Sequence, residues 1–178
     1  MIDLYCAPVS SPRARHAVGE QLLRREAARR LGIAQDAVSI TRGAYGKPEI
    51  AGLCCNLSHS GELAVCAFAS CPVGVDIERI SAARVRVAER AFHPEERARL
   101  HAAAPDARDR LFFEIWTRKE AFLKCSGRGI TRDLAALNVF ALDPRLFHVG
   151  TMGDYALAVC TARPEALGAC TCSINWRA

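Results

Sequence analysis

The stretch Val73-Gly74-Val75-Asp76-Ile77-Glu78 decides the fold. Its alternation is that of a β-strand: Val73, Val75 and Ile77 share one face, and Gly74, Asp76 and Glu78 share the other. The first face suits a core. The second projects two carboxylates side by side, their Cα atoms roughly 6.5 Å apart at the usual strand rise, with Gly74 leaving room beside them. Anions that close repel one another unless a cation or a proton relieves the pair. Oxygen-only ligands at this spacing favour a hard divalent ion, magnesium or manganese, over zinc. The plainer alternative is an exposed edge strand with two solvated acids, and Asp-x-Glu alone does not decide between them.

Upstream, Glu62 to Phe68 is a largely apolar strand, expected to be covered on both faces, and Ser70-Cys71-Pro72 turns it into the acidic strand. Asn56-Leu57-Ser58-His59-Ser60-Gly61 places a histidine among hydroxyls and glycine, and reads as a loop leading into the core. Such a loop binds phosphate through hydroxyls, backbone N–H groups and imidazole, although a lone histidine is more often structural. No Gly-x-Ser-x-Gly elbow accompanies it, which discounts hydrolase chemistry. Tyr45-Gly46-Lys47-Pro48 is turn chemistry. From Ala17 to Leu31, Val18, Leu22, Leu23, Ala27 and Leu31 recur at helical spacing, Gly32 supplies a stop, and Arg24, Arg25 and Arg29 read as a solvated face.

Downstream, His93-Pro94-Glu95-Glu96 opens a helix, with proline and acids in its first turn. Asp109 is expected to cap a longer helix that runs to Cys125 or Ser126 and closes at Gly127. Phe112, Ile115, Trp116, Phe122 and Leu123 make its apolar arc, and Glu120 and Lys124 stand one turn apart beside Trp116. Glu120 there completes a three-acid site while Lys124 faces a phosphate. Alternatively the two form a helix-stabilising pair worth only about 0.2–0.5 kcal/mol, and helical geometry leaves both readings open. Leu137–Ala141, Tyr155–Thr161 and Ala169–Ile174 read as strands. Leu-Ala-Val-Cys recurs at 63–66 and 157–160, each time after a glycine and an acid, which agrees with two similar α+β halves meeting across one core.

Composition narrows the function classes. With 51% hydrophobic and 24% charged residues in 178, the chain is an ordinary globular protein of one domain or two small halves. Its longest apolar stretch, Leu63 to Val75, is too short for a bilayer and holds Pro72. Met1 to Tyr5 lacks the pattern of a signal peptide, so the cytoplasm is the expected compartment. A net charge of +5 suits an anionic small molecule or an acidic protein partner, and no basic tract with interleaved aromatics points to nucleic acid. Nine cysteines, odd in number and irregular in spacing, read as small buried hydrophobes rather than zinc ligands or disulfides.

Taken in order, Tyr45-Gly46-Lys47-Pro48, Asn56-Leu57-Ser58-His59-Ser60, Gly74-Val75-Asp76-Ile77-Glu78 and Trp116-Thr117-Arg118-Lys119-Glu120-Ala121-Phe122-Leu123-Lys124 resemble the signature series of the Sfp-type 4'-phosphopantetheinyl transferases, the holo-acyl-carrier-protein synthase superfamily. The resemblance runs from about Arg15 to Cys160. It implies an α+β pseudo-dimer of halves 1–78 and 79–178, with coenzyme A in the cleft between them. It implies transfer of the 4'-phosphopantetheine group to a serine of an apo acyl or peptidyl carrier protein, with release of adenosine 3',5'-bisphosphate. Asp76, Glu78 and Glu120 become magnesium ligands (manganese being the alternative), Glu120 also a base, and Glu96 a possible further acid near the metal. Lys124 and His59 would contact phosphates, Lys47 and Pro48 the adenine end, and Arg15 and Ser58 the 3'-phosphate. The partner is the carrier's acidic helix, with no nucleic acid or membrane, and the expected state is a monomer. The chain departs from the family in having about fourteen residues before Arg15, none of them lysine, where fuller-length members carry lysines that reach the 3'-phosphate. Arg13 is the nearest replacement, and Ala14 stands where a basic residue is common. A magnesium-dependent phosphodiesterase or nuclease, and a non-catalytic coenzyme A binding module, are the rival readings. The second is disfavoured because Asp76, Glu78, Glu120 and Lys124 are all present.

Overall fold

The computed structural model describes residues 2–43, 45–127, 134–166 and 175–176. Along the chain it places β1 (Ile2–Pro8), α1 (Arg15–Leu31), β2 (Thr41–Arg42), β3 (Pro48–Glu49), β4 (Cys54–Ser60), β5 (Leu63–Ala69) and β6 (Val73–Arg79). Then follow α2 (Val85–Ala91), α3 (Pro94–Ala102), α4 (Pro105–Ser126), β7 (Phe147–Met152), β8 (Tyr155–Thr161) and β9 (Asn175–Trp176). This is an α+β protein. One sheet has the order β4-β5-β1-β9 and a second the order β6-β8-β7, with β2 and β3 as a separate short hairpin.

The two main sheets repeat one plan. A strand (β1 or β6) leads through helical structure to a hairpin (β4–β5 or β7–β8), whose second strand pairs antiparallel with that first strand. Both hairpins turn at a glycine with φ +55°, Gly61 and Gly153, a dihedral that L side chains rarely adopt. Strand β6, which runs across the expected boundary near residue 79, pairs with β8 of the second sheet.

Strand periodicity explains the layers. Val73, Val75 and Ile77 join Leu157 and Val159 against Ile2, Leu4, Val65 and Ala67, so inner faces of both sheets share one core. Helix α1 covers the outer face of the first sheet, setting Leu22, Leu23 and Ala27 against Cys55, Cys66 and Phe68. Helix α4 does the same for the second, setting Ala121 and Cys125 against Ala158 and Cys160. Cys55, Cys66, Cys71, Cys125 and Cys160 are buried free thiols, as their apolar contexts predict.

Several elements match the sequence reading. Helix α1 ends at Gly32 with φ +66°. At the start of α3, Glu96 accepts from the His93 amide at 2.8 Å and His93 Nδ1 accepts from the Glu95 amide at 3.3 Å. Strand β5 is buried along nearly its whole length.

Others differ for physical reasons. Asn56–Ser60 is not a loop but most of β4, paired along its length with β5. Helix α4 starts at Pro105, where proline's missing N–H costs nothing, and Asp109 instead accepts from the Ala83 amide at 2.7 Å. Leu137–Ala141 is no strand. It follows a 3-10 turn at Leu134–Ala136, and its Leu137 carbonyl and Val139 amide bond to a buried ion pair described below. Arg24 is half-buried and donates to the Val38 carbonyl. The expected strand Ala169–Ile174 lies outside the described residues.

Gly74 does not open space beside the carboxylates, because the backbone of α4 fills it. A Cβ there would collide with the Ala121 carbonyl oxygen and the Cys125 amide nitrogen. Neither is the tip of a side chain that can swing away. We expect Gly74→Ala to cost about 3 kcal/mol of stability or more. A folded variant with a wild-type melting midpoint would contradict this seating of α4.

Candidate active site

Strand β6 lies at the edge of its sheet, so one row of its backbone groups lacks a strand partner. Side chains of β4 take that place. The Val75 amide donates to Asn56 Oδ1 at 2.9 Å, the Ile77 amide to Ser58 Oγ at 3.3 Å and the Arg79 amide to Ser60 Oγ at 3.1 Å. A hydroxyl has one proton and two lone pairs, so each serine can accept that N–H and still donate. Ser58 donates to Asp76 Oδ1 at 2.8 Å and Ser60 to Glu78 Oε2 at 2.8 Å. One polar row therefore joins the sheets and orients both carboxylates.

Helix α4 delivers Glu120 and Lys124 to the same place. The Lys124 ammonium donates to Asp76 Oδ1 at 2.6 Å, to Ser58 Oγ at 3.2 Å and to the Val75 carbonyl at 3.2 Å. Asp76 is 4% exposed and Glu120 8%, yet among the described residues Asp76 Oδ2 and Glu120 Oε1 have no hydrogen-bond partner. Burial, aided by the charge of Asp76, pushes the Glu120 carboxyl up to about 6 against the pull of Lys124. Burial also raises Glu78, opposed chiefly by its hydrogen bond from Ser60.

These groups open onto a cleft of about 570 Å³. Of the residues singled out in the sequence, Lys47, Pro48, Ser58, His59, Asp76, Glu78, Glu120 and Lys124 all line it. Arg15 is not in its lining, and its Nε donates to the Gly61 carbonyl at 3.1 Å. Lys47 acts as a strut, donating to the carbonyls of Val73 at 3.1 Å and Lys124 at 2.7 Å. Sequence reasoning missed His16 and Arg42, which also line the cleft and lie 3.4 Å apart. Arg42 arrives through its pairing with Pro48 in the β2–β3 hairpin, which no local pattern announces.

Glu96 is corrected. It is fully buried and pairs with Lys119 Nζ at 2.7 Å, while its other oxygen accepts from the Val139 amide at 2.8 Å. Lys119 also donates to the carbonyls of Leu134 and Leu137. Both Glu96 oxygens are thus engaged away from the acid cluster.

Among the described residues, no group of three His, Cys, Asp or Glu side chains is assembled, as it stands, to hold a metal. The donor chemistry of Asp76, Glu78 and Glu120 nevertheless fits a hard cation. All three offer carboxylate oxygen, and two buried oxygens lack partners.

The sequence model of the 4'-phosphopantetheinyl transferase superfamily matches residues 72–167, from just before β6 to beyond β8. A 4'-phosphopantetheinyl transferase of Bacillus subtilis is 33% identical over 168 residues, spanning 85% of this chain and 75% of that protein. The transferase Sfp of Bacillus subtilis strain 168 is 30% identical over 173 residues with the same coverage. The gsp transferase of Aneurinibacillus migulanus is 38% identical over 117 residues, 65% of this chain and 49% of that one. The chain therefore belongs to the 4'-phosphopantetheinyl transferase superfamily, and it is a transferase of phosphopantetheine.

The raised Glu120 carboxyl has a stability consequence in metal-free solution. Its folded value exceeds its unfolded one, so its contribution is fully present below about pH 4.5 and is lost as pH rises through about 6. We expect Glu120→Gln to be more stable than wild type at pH 7.5, by about 1–2 kcal/mol. The advantage should vanish below pH 4.5. Chemical denaturation at the two pH values with chelator present reads this difference, and equal stabilities at pH 7.5 would contradict it.

Proposed function

We propose that the chain transfers the 4'-phosphopantetheine group of coenzyme A to a serine of an apo acyl or peptidyl carrier protein, releasing adenosine 3',5'-bisphosphate in a magnesium-dependent reaction. The observation that carries this reading is the convergence of Asp76, Glu78, Glu120 and Lys124 on one cleft wall, with two buried carboxylate oxygens unpartnered among the described residues.

In this reaction the serine oxygen attacks the β-phosphorus of coenzyme A. The bond from that phosphorus to the bridging oxygen breaks, and the nucleotide leaves with the bridging electron pair. Phosphoryl transfer of this kind asks the protein mostly for positioning and for charge opposed to the departing oxygen, and not for its own nucleophile. Asp76, Glu78 and Glu120 would hold magnesium (manganese serving as the alternative), which supplies charge neutralisation at the pyrophosphate. Glu120 would also serve as the base that takes the serine proton, directly or through water. Lys124 and His59 face the phosphates. Lys47 and Pro48 form the wall for the adenine end, and Ser58, with Arg15 from outside the cleft lining, is assigned to the 3'-phosphate.

The same reading takes the molecule as a pseudo-dimer of two α+β halves, 1–78 and 79–178, with the cleft between them. The repeated strand plan supports it, and β6, which crosses the 78/79 boundary, pairs with the second sheet and lines the cleft with α4 opposite β4. A net charge of +5 suits the acidic helix of a carrier protein. Free buried thiols suit the reducing cytoplasm. Two halves in one chain suit a monomer. No helix among the described residues is long and apolar enough to cross a membrane.

The test is to incubate the protein with magnesium, coenzyme A and several apo carrier proteins and to weigh the carriers intact. The expected result is a gain of one phosphopantetheine that chelator abolishes. Asp76→Ala and Glu120→Ala, each shown to be folded, should lose at least ~100-fold in turnover. Near wild-type turnover in either would sink the metal-site assignment.

A further inference from the structure

Lys124 is asked to do two incompatible things. The proposed reaction needs its ammonium at a phosphate, but all three of its protons are engaged by Asp76, Ser58 and the Val75 carbonyl. Asp76 Oδ1 in turn receives both Lys124 and Ser58, which leaves Oδ2 as the oxygen without a partner. A divalent cation that uses Oδ1 must expel the lysine. One that uses Oδ2 sits a carboxylate's width from an ammonium, where like charges repel strongly.

We propose that Lys124 is a displaceable counterion. It occupies the carboxylate site when no divalent cation is bound, and it hands Asp76 to the metal only when an anionic phosphate is present to receive it. This inference rests on reading the site as one for a divalent cation and coenzyme A.

Three features let the side chain move while its helix stays still. Lys124 lies in the last turn of α4, and its side chain is 28% exposed, on the cleft wall. Lys47 Nζ holds the Lys124 carbonyl at 2.7 Å, so the backbone beneath the swinging chain is fixed. The flexible four-carbon stem of lysine lets the charge travel without moving α4.

The consequence is a coupling free energy between metal and substrate. Lysine opposes the metal when the metal comes alone, coenzyme A draws the lysine away, and each ligand therefore strengthens the other. The site stays electrostatically closed until both are present.

The experiment measures Mn²⁺ affinity by electron paramagnetic resonance of the free ion, with and without coenzyme A. It uses wild type, Lys124→Met and Lys124→Arg, all checked for folding by circular dichroism. Lys124→Met should bind Mn²⁺ alone ~10-fold more tightly than wild type, while Lys124→Arg stays close to wild type. Coenzyme A should then tighten Mn²⁺ by a smaller factor in Lys124→Met than in wild type. Should Lys124→Met not fold, the Lys124 ammonium NMR signal of wild type decides. A shift on adding Mg²⁺ and coenzyme A together, larger than with Mg²⁺ alone, supports displacement. An unchanged signal overturns it. Folded Lys124→Met with wild-type Mn²⁺ affinity also overturns it, and leaves the metal and coenzyme A assignment standing. If wild type binds no Mn²⁺ in either condition, that assignment falls first.

Discussion

The row of hydrogen bonds from β4 side chains to the bare edge of β6 is the interaction on which the rest depends. Each such bond adds only about 1 kcal/mol net, but each unmet buried amide would cost more than that. The row's larger effect is on register. Side chains of β4 alternate faces, so a slip of one residue would set Leu57 and His59 against β6 in place of Asn56, Ser58 and Ser60. The β6 amides would lose their acceptors, and Asp76 and Glu78 would lose their donors, in the same step. Joining the sheets and building the site are one event.

What the row leaves incomplete is equally informative. It satisfies one oxygen of Asp76 and one of Glu78, yet strands Asp76 Oδ2 and Glu120 Oε1 in the interior. A chain selected only for stability would replace such acids, because buried ions with unmet lone pairs oppose folding. Their persistence beside a single lysine argues for a site whose charge balance is completed from outside.

Much of this was legible in sequence, and the failures share a cause. The alternation at 73–78 correctly places Val73, Val75 and Ile77 in the core, because period-two burial is a local property of a strand. Helix α1 and its Gly32 stop are likewise local, and so is the shared side of Glu120 and Lys124. Asn56–Ser60 misleads because asparagine and serine favour turns in isolation, and only pairing with β5 makes them a strand. Glu96 misleads in the same way. Its partner Lys119 lies far along the chain, and no pattern distinguishes an acid bound for a buried lysine from one bound for a metal. His16 and Arg42 meet only after α1 and the β2–β3 hairpin have folded together.

The Glu96–Lys119 pair shows how a poor stabiliser can be a good positioner. Both residues are fully buried, and burial lowers the lysine's affinity for its proton even as Glu96 raises it. Such a pair roughly breaks even against apolar residues of similar volume, while the loss of one partner is costly. Its directional bonds tie α4 at one point to four places at once: the start of α3, the Leu134 and Leu137 carbonyls and, through Glu96, the Val139 amide. Glu120 is the next residue on that helix, so its direction follows from where Lys119 is pinned. On the opposite wall, Gly74 admits the α4 backbone and sets its height above β6. Rotation and height together leave Glu120 and Lys124 little choice but to meet Asp76. An apolar substitute for the pair would keep the helix packed but would loosen its rotation, and it is rotation that the carboxylate cluster requires.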